Sequence, residues 1–106
     1  MVVILFRSKL TEAAGDDYGN MAGQMDAHAR TFPGFVDVKA FKAEDGERLT
    51  VVWWQDEATL RAWSNDVRHG EAKKSGRERW YDYYKIDVAE IIRSKTFDRS
   101  NKPAHT

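Results

Sequence analysis

The sequence has no cysteine among its 106 residues and no net charge, because 17 basic side chains balance 17 acidic ones. Without thiols the chain cannot form a disulfide framework, a thiolate metal site or a cysteine nucleophile, and a reducing cytoplasm is the expected location. Balanced charge creates no overall field toward a polyanion. Nucleic acid and membranes are therefore not expected partners.

Long hydrophobic runs are also missing. The opening segment 1–6 is apolar, but it reaches Arg7 well before the ~20 residues that a membrane span requires, and no basic region precedes it. This pattern predicts a first β-strand over residues 2–8. Aromatic residues, in contrast, are abundant: four Trp, four Tyr and five Phe must line a core, an interface or a ligand pocket.

The first half of the sequence predicts a helix followed by a β-hairpin. Asp16 or Asp17 is the expected N-cap of an amphipathic helix that ends before Pro33. Segments 35–41 and 49–54 are strand-like and flank an Asp-Gly turn signal. They should pair in the antiparallel direction.

The second half predicts two helical segments and a last strand. Asp56 is the expected N-cap of a short helix that carries Trp63. A second helical segment covers about residues 66–80 and is interrupted by two glycines, which favours a break in this region. Strand character then returns over residues 83–97.

The order of these elements is β-α-β-β-α-β, which predicts an α+β, ferredoxin-like domain over residues 1–97 with one four-stranded antiparallel sheet. Residues 98–106 are expected to form a polar C-terminal tail. The helices can cover only one face of the sheet, whereas several strands are apolar on both faces. A homodimer is the simplest way to cover the second face.

Three segments in this order resemble the antibiotic-biosynthesis-monooxygenase domain of the dimeric α+β barrels. They are Thr-Phe-Pro-Gly-Phe at 31–35, the run from Val51 to Trp63, and Val-Arg-His at 67–69. The resemblance implies a homodimer with one pocket per subunit, between the sheet and its helices. It further implies a cofactor-independent monooxygenase, without a metal, that oxidises a small aromatic or polyketide-like phenol with dioxygen.

The resemblance also implies site residues. Trp63 lies where the quinone-forming members carry a pocket Trp, and His69 lies where they carry a Tyr that holds a substrate hydroxyl. Thr59 replaces their pocket Asn, although its hydroxyl can still donate a hydrogen bond. Haem-degrading members carry their proximal His where this sequence has Lys73, which disfavours that alternative because haem binding needs an axial ligand.

Side-chain chemistry adds further candidates. His69 is the expected base, since an imidazole titrates near ~6.5, but it could also be an exposed helix residue. His28 lies at the edge of the apolar helix face and could enter the same cavity or serve a structural role. Arg79 and Tyr83 could contact an anionic intermediate and a substrate oxygen, or belong to an interface rich in Arg and Tyr.

Neighbouring tryptophans should divide between the two faces of the sheet. Trp53 and Trp54 are adjacent in a strand, so one faces the helices and the other faces away. Trp54 is taken as a candidate substrate contact, although the sequence does not decide between the two. Trp63 could likewise pack in the core. A non-catalytic small-molecule-binding dimer therefore remains the alternative function from a different class.

Overall fold

The computed structural model describes residues 1–66, 70, 72–74 and 76–101. It contains one four-stranded antiparallel sheet with helices packed on one face, which confirms the α+β, β-α-β-β-α-β prediction. Residues 70 and 72–74 are helical and lead into a π-helical turn, Gly76–Trp80. The strands are β1 (Val2–Leu10), β2 (Phe35–Lys42), β3 (Arg48–Trp54) and β4 (Tyr81–Glu90), and the helices are α1 (Asp16–Ala29) and α2 (Glu57–Ser64).

The sheet has the order β2-β3-β1-β4, so β1 and β3 are its central strands. The core lies on the helical face and contains Val2, Ile4, Val52 and Trp54 from these two strands, packed against residues of α1 and α2. Trp54 is fully buried there. Because side chains alternate along a strand, Trp53 points to the opposite face.

The N-cap prediction is confirmed for α2 and wrong for α1. The Asp56 carboxylate accepts a hydrogen bond from the backbone N of Thr59 at 2.9 Å and so caps α2. In α1 the N-cap is Gly15, without a side-chain cap bond, and the predicted aspartates lie in the first turn. The Asp17 carboxylate instead accepts a hydrogen bond from Trp80 Nε1 at 3.1 Å.

The predicted last strand is too long. β4 ends at Glu90, which lies opposite Val2, the first residue of β1. Beyond this pair β1 offers no further residues to bond, apart from the Met1 carbonyl that accepts from the Ile91 N–H at 3.0 Å. Residues 91–98 therefore have no regular secondary structure, despite their strand-like sequence, and Ile92 is 84% exposed.

The predicted hairpin between β2 and β3 is confirmed. The Ala43 N–H donates to the Glu47 carbonyl at 2.8 Å, and Gly46 has a φ of +91°, a conformation that favours glycine. No helix in the described part of the chain is both long enough and apolar enough to cross a membrane.

Candidate active site

A cavity of about 770 Å³ lies between the helices and the helical face of the sheet. Its volume falls in the range of pockets that enclose small molecules of drug size. The apolar face of α1 forms one wall, and the sheet forms the opposite wall with side chains from all four strands. The lining includes Met21, Ala22, Met25 and Ala29 from α1, and Ile4, Phe6, Val38, Thr50, Val52, Ile86 and Val88 from the sheet.

The cavity is open beside β4, an edge strand of the sheet. Ile86 and Val88 line the cavity, yet they remain 47% and 49% exposed. Solvent therefore reaches the cavity along this strand. The same opening would admit an apolar ligand.

An aromatic cluster forms one end of the cavity. The Phe6 ring lies 5.4 Å from that of Tyr81 and 5.8 Å from that of Tyr84, and Tyr18 meets the Trp80 ring edge-on at 5.6 Å. All five residues line the cavity. Most of them escaped the sequence-based site prediction, because a β-bulge between Lys9 and Leu10 brings Tyr81 and Tyr84 to one face.

Within this cluster, the pKa of the Tyr81 hydroxyl departs strongly from its ordinary value. Burial, followed by the neighbouring Tyr18, raises the pKa of the Tyr81 hydroxyl well above its ordinary value of 10.0. The hydroxyl therefore stays protonated at neutral pH. It can donate a hydrogen bond to a ligand oxygen but cannot act as a base.

Among the described residues that line the cavity, basic side chains outnumber acidic ones. Asp26 is paired with Arg30 at 3.1 Å, which neutralises both. Lys73 donates to the Ser64 carbonyl at 3.2 Å, and Arg48 and Arg77 have no carboxylate partner within the described part of the chain. The described part of the lining therefore carries an excess of positive charge, which suits an anionic ligand or intermediate.

Trp54 and Trp63, the two tryptophans predicted for the site, are in contact. Trp63 lines the cavity, is 8% exposed and packs against Trp54, with ring centres 5.6 Å apart. Trp54 lies beneath it, has no exposed surface and also meets Phe35 edge-on. Trp63 is thus positioned as a cavity wall, whereas Trp54 supports it from the core.

Of the two candidate histidines, His28 is held by a contact with Asp66. His28 Nε2 lies 2.9 Å from Asp66 Oδ1, and its ring packs edge-on against Phe32 at 5.0 Å. His28 is not among the described residues that line the cavity. Its contact with Asp66 connects α1 to the segment after α2. His69 lies outside the described residues.

Three further candidates lie away from the described lining of the cavity. The Thr59 hydroxyl donates to the Asp56 carbonyl at 3.0 Å, within the α2 cap. Arg79 is paired with Asp17 at 3.3 Å. Tyr83 lies opposite Lys9 on the face without described helices, whereas its neighbour Tyr84 lines the cavity.

Taken together, these features define an α+β domain with an aromatic cavity that opens beside β4 and whose described charged lining residues are mainly basic. Within the described ranges, no group of three or more His, Asp or Glu side chains is placed to hold a metal ion. The family model of the antibiotic biosynthesis monooxygenases matches residues 1–75, and the chain belongs to this family. An uncharacterized protein of Bacillus subtilis, YqjZ, is 32% identical over 83 residues, which cover 78% of this chain and 73% of that protein.

Two further relatives carry functional descriptions. A jasmonate monooxygenase ABM of Pyricularia oryzae is 23% identical over 96 residues; the match covers 89% of this chain but only 45% of that protein. The crystal structure of SnoaB, a cofactor-independent oxygenase from Streptomyces nogalater, superposes with a TM-score of 0.73 at 14% identity, covering 88% of this chain and 94% of that one. At this identity the likeness establishes the shared fold.

Proposed function

We propose that this protein is a cofactor-independent monooxygenase that oxidises a small aromatic or polyketide-like phenol with dioxygen. The observation that carries this proposal is the cavity of about 770 Å³, lined by aliphatic and aromatic side chains, in a member of the monooxygenase family. The descriptions of SnoaB as a cofactor-independent oxygenase and of the Pyricularia oryzae relative as a monooxygenase support it.

The proposed reaction needs no cofactor because the substrate supplies the electrons. A base removes a proton from an activated CH₂ group, and the carbanion reacts with dioxygen to give a peroxide after protonation. Loss of water from the peroxide leaves a carbonyl, so that R₂CH₂ + O₂ gives R₂C=O + H₂O. A pocket that excludes water and stabilises the anion lowers the barrier to the first step.

Side chains of the cavity suit these tasks. Trp63 offers a flat apolar wall for the substrate ring. The neutral Tyr81 hydroxyl can donate to a substrate oxygen, and we propose Tyr84, which lines the cavity, in place of Tyr83 as a second substrate contact. Nearby basic groups stabilise the anion. His69 remains the proposed base, from its chemistry and its position in the sequence.

We further infer that the protein forms a homodimer through the sheet face without described helices. Phe41 on this face is 47% exposed, and Leu5, Leu49 and Trp53 are only partly buried. Ile92 and Phe97, in the segment after β4, are also exposed, at 84% and 62%. A second copy would cover these groups, which a soluble monomer rarely exposes together.

The haem-degrading alternative is disfavoured by Lys73. Its ammonium group donates to the Ser64 carbonyl at 3.2 Å and to the Ser64 hydroxyl at 3.3 Å. A protonated amine has no lone pair to offer iron. The residue at the proximal position is therefore a poor axial ligand.

Oxygen uptake tests the proposed function. The purified protein is supplied with anthrones, hydroquinones and flavonols, without added cofactor, and dioxygen consumption is compared with the uncatalysed rate. We expect uptake that Trp63→Phe and His69→Ala reduce and that Trp53→Phe, on the opposite face of the sheet, leaves unchanged. Ligand binding without uptake would instead favour the non-catalytic binding dimer.

A further inference from the structure

The cavity wall formed by the sheet changes from apolar to cationic along its length. Residues that lie opposite one another on β3, β1 and β4 form rows that face the helices. Successive rows are two residues apart on each strand. The rows are Val52, Ile4 and Val88; then Thr50, Phe6 and Ile86; and then Arg48, Ser8 and Tyr84.

The last row brings one guanidinium and two hydroxyl groups together. Neighbouring side chains in such a row have Cβ atoms about 4.5–5.5 Å apart, so Arg48, Ser8 and Tyr84 can reach one small group. Ser8 is only 4% exposed, and its hydroxyl makes no hydrogen bond with another residue that the structure describes. Ser8 lines the cavity, so its hydroxyl can donate a hydrogen bond to a ligand oxygen there.

The positive charge of Arg48 is available to bind a ligand. The neighbouring carboxylate, Glu47, is held by Arg7 at 2.8 Å. No carboxylate in the described ranges pairs with Arg48. Although Arg48 also borders a small groove beside the hairpin, it lines the cavity as well.

We propose that Arg48, Ser8 and Tyr84 bind a carboxylate of the substrate, which is therefore an elongated apolar acid. A single guanidinium with two hydroxyl donors matches a monoanion with two oxygens. The row of Arg48 lies about 13 Å along β3 from the row of Val52, which packs in one cluster with Trp63. The reacting ring and the carboxylate should therefore be separated by a spacer. This inference rests on the proposed function, since it names the substrate class of the same site.

Calorimetric titration of matched ligands tests the carboxylate site. The probes are 4-(2-naphthyl)butanoate, its primary amide, and 2-naphthoate, whose carboxylate is attached directly to the ring. We expect the long acid to bind about tenfold or more tightly than its amide, and more tightly than the short acid. Arg48→Gln should remove the preference for the acid, because acid binding falls far more than amide binding, and an unchanged urea midpoint shows that the variant is folded.

Four further variants sharpen the test. Lys85→Gln removes a positive charge from the opposite face of the sheet and should preserve the preference, whereas Arg48→Lys should retain part of it. Ser8→Ala and Tyr84→Phe should each weaken acid binding more than amide binding. Equal affinity of acid and amide in the natural protein, a preference that survives Arg48→Gln, or no binding by any probe would overturn the proposal.

Oxygen uptake separates this proposal from the proposed function. Turnover of neutral anthrones, combined with equal binding of acid and amide, would overturn the carboxylate site and leave the oxygenase intact. Acid-selective binding that Arg48→Gln abolishes, combined with no uptake for any phenolic substrate, would establish the site and overturn the oxygenase.

Discussion

The backbone of Gly34 lies directly against the side chain of Thr59, so that a Cβ atom at position 34 would overlap with the Thr59 hydroxyl and methyl groups. Gly34 has a φ of +86°, and its carbonyl accepts from the Gln55 N–H at 2.7 Å. This contact joins the turn after α1 to the first turn of α2. It therefore fixes the position of the helix that carries Trp63.

Gly34→Ala should lower the free energy of unfolding by roughly 2–4 kcal/mol, because both its backbone conformation and its contact with Thr59 exclude a side chain. Gly46→Ala is the matched control, since Gly46 has a φ of +91° and open space around it. This control should cost only about 1–2 kcal/mol. Urea denaturation measures both values, and equal losses would show that the Thr59 contact contributes nothing.

Acid should destabilise the protein through Asp56 and Asp17. Hydrogen bonds from Thr59 lower the pKa of Asp56 below its ordinary value of 3.8, and a hydrogen bond from Trp80 does the same for Asp17. Both groups bind protons more tightly in the unfolded chain, so their stabilisation is present above the ordinary pKa and is lost as pH falls through the lowered values.

Asp56→Asn and Asp17→Asn should therefore flatten the fall in stability below pH ~4. Urea midpoints measured on both sides of this pH provide the test. Since Asn remains a good N-cap, Asp56→Asn should change the pH dependence more than the stability near neutrality. If the stability of both variants falls below pH ~4 as steeply as that of the natural protein, Asp56 and Asp17 are not the cause of the acid destabilisation.

His28→Ala should lower the free energy of unfolding by about 1–2 kcal/mol, because it removes the partly buried contact with Asp66. It should change kcat/KM by less than about threefold, since His28 is not among the described lining residues. Denaturation and steady-state oxygen uptake measure the two effects. A stable variant with turnover reduced about a hundredfold would instead identify His28 as a catalytic residue.

Trp63→Phe should reduce kcat/KM about tenfold or more, because the smaller ring covers less of the substrate. It should also cost roughly 1–2 kcal/mol of stability through lost contact with Trp54. Trp53→Phe provides a control of the same chemistry on the opposite face. Equal kinetic effects of the two variants would remove Trp63 from the proposed site.

Phe41→Asp should convert the proposed dimer to a monomer, because it places a charge among apolar groups that a second copy would bury. Phe41→Leu keeps the surface apolar and should remain dimeric. Native mass spectrometry at micromolar concentration gives the mass of each form. A natural protein that is monomeric under these conditions would overturn the homodimer.

Much of the fold could be predicted from local patterns. Strand alternation, the Asp-Gly turn and the Asp56 cap predicted the hairpin and the start of α2, since each depends on residues close together in the chain. The end of β4 could not be predicted in this way. Segment 91–97 has strand character, but the first residue of β1 determines where pairing stops.

The site itself was predicted less completely. Trp63 lines the cavity, as the family resemblance implied, whereas the contribution of Ser8, Arg48 and Tyr81 became visible only in the structure. Ser8 ends a predicted strand, whereas Arg48 and Tyr81 lie just outside the predicted strands and become the first residues of β3 and β4 in the structure. Their proximity depends on the register of three strands that are distant from one another in the chain.

The sequence by itself determined the class of the fold, the order of its elements and the family, because periodicity, turn chemistry and motif spacing are properties of the chain. Only the tertiary structure decided that Trp54 rather than Trp53, and Tyr84 rather than Tyr83, face the helices. Alternation divides adjacent residues between two faces, but it does not say which face the helices cover. That choice, and with it the lining of the cavity, follows from how α1 and α2 pack on the sheet.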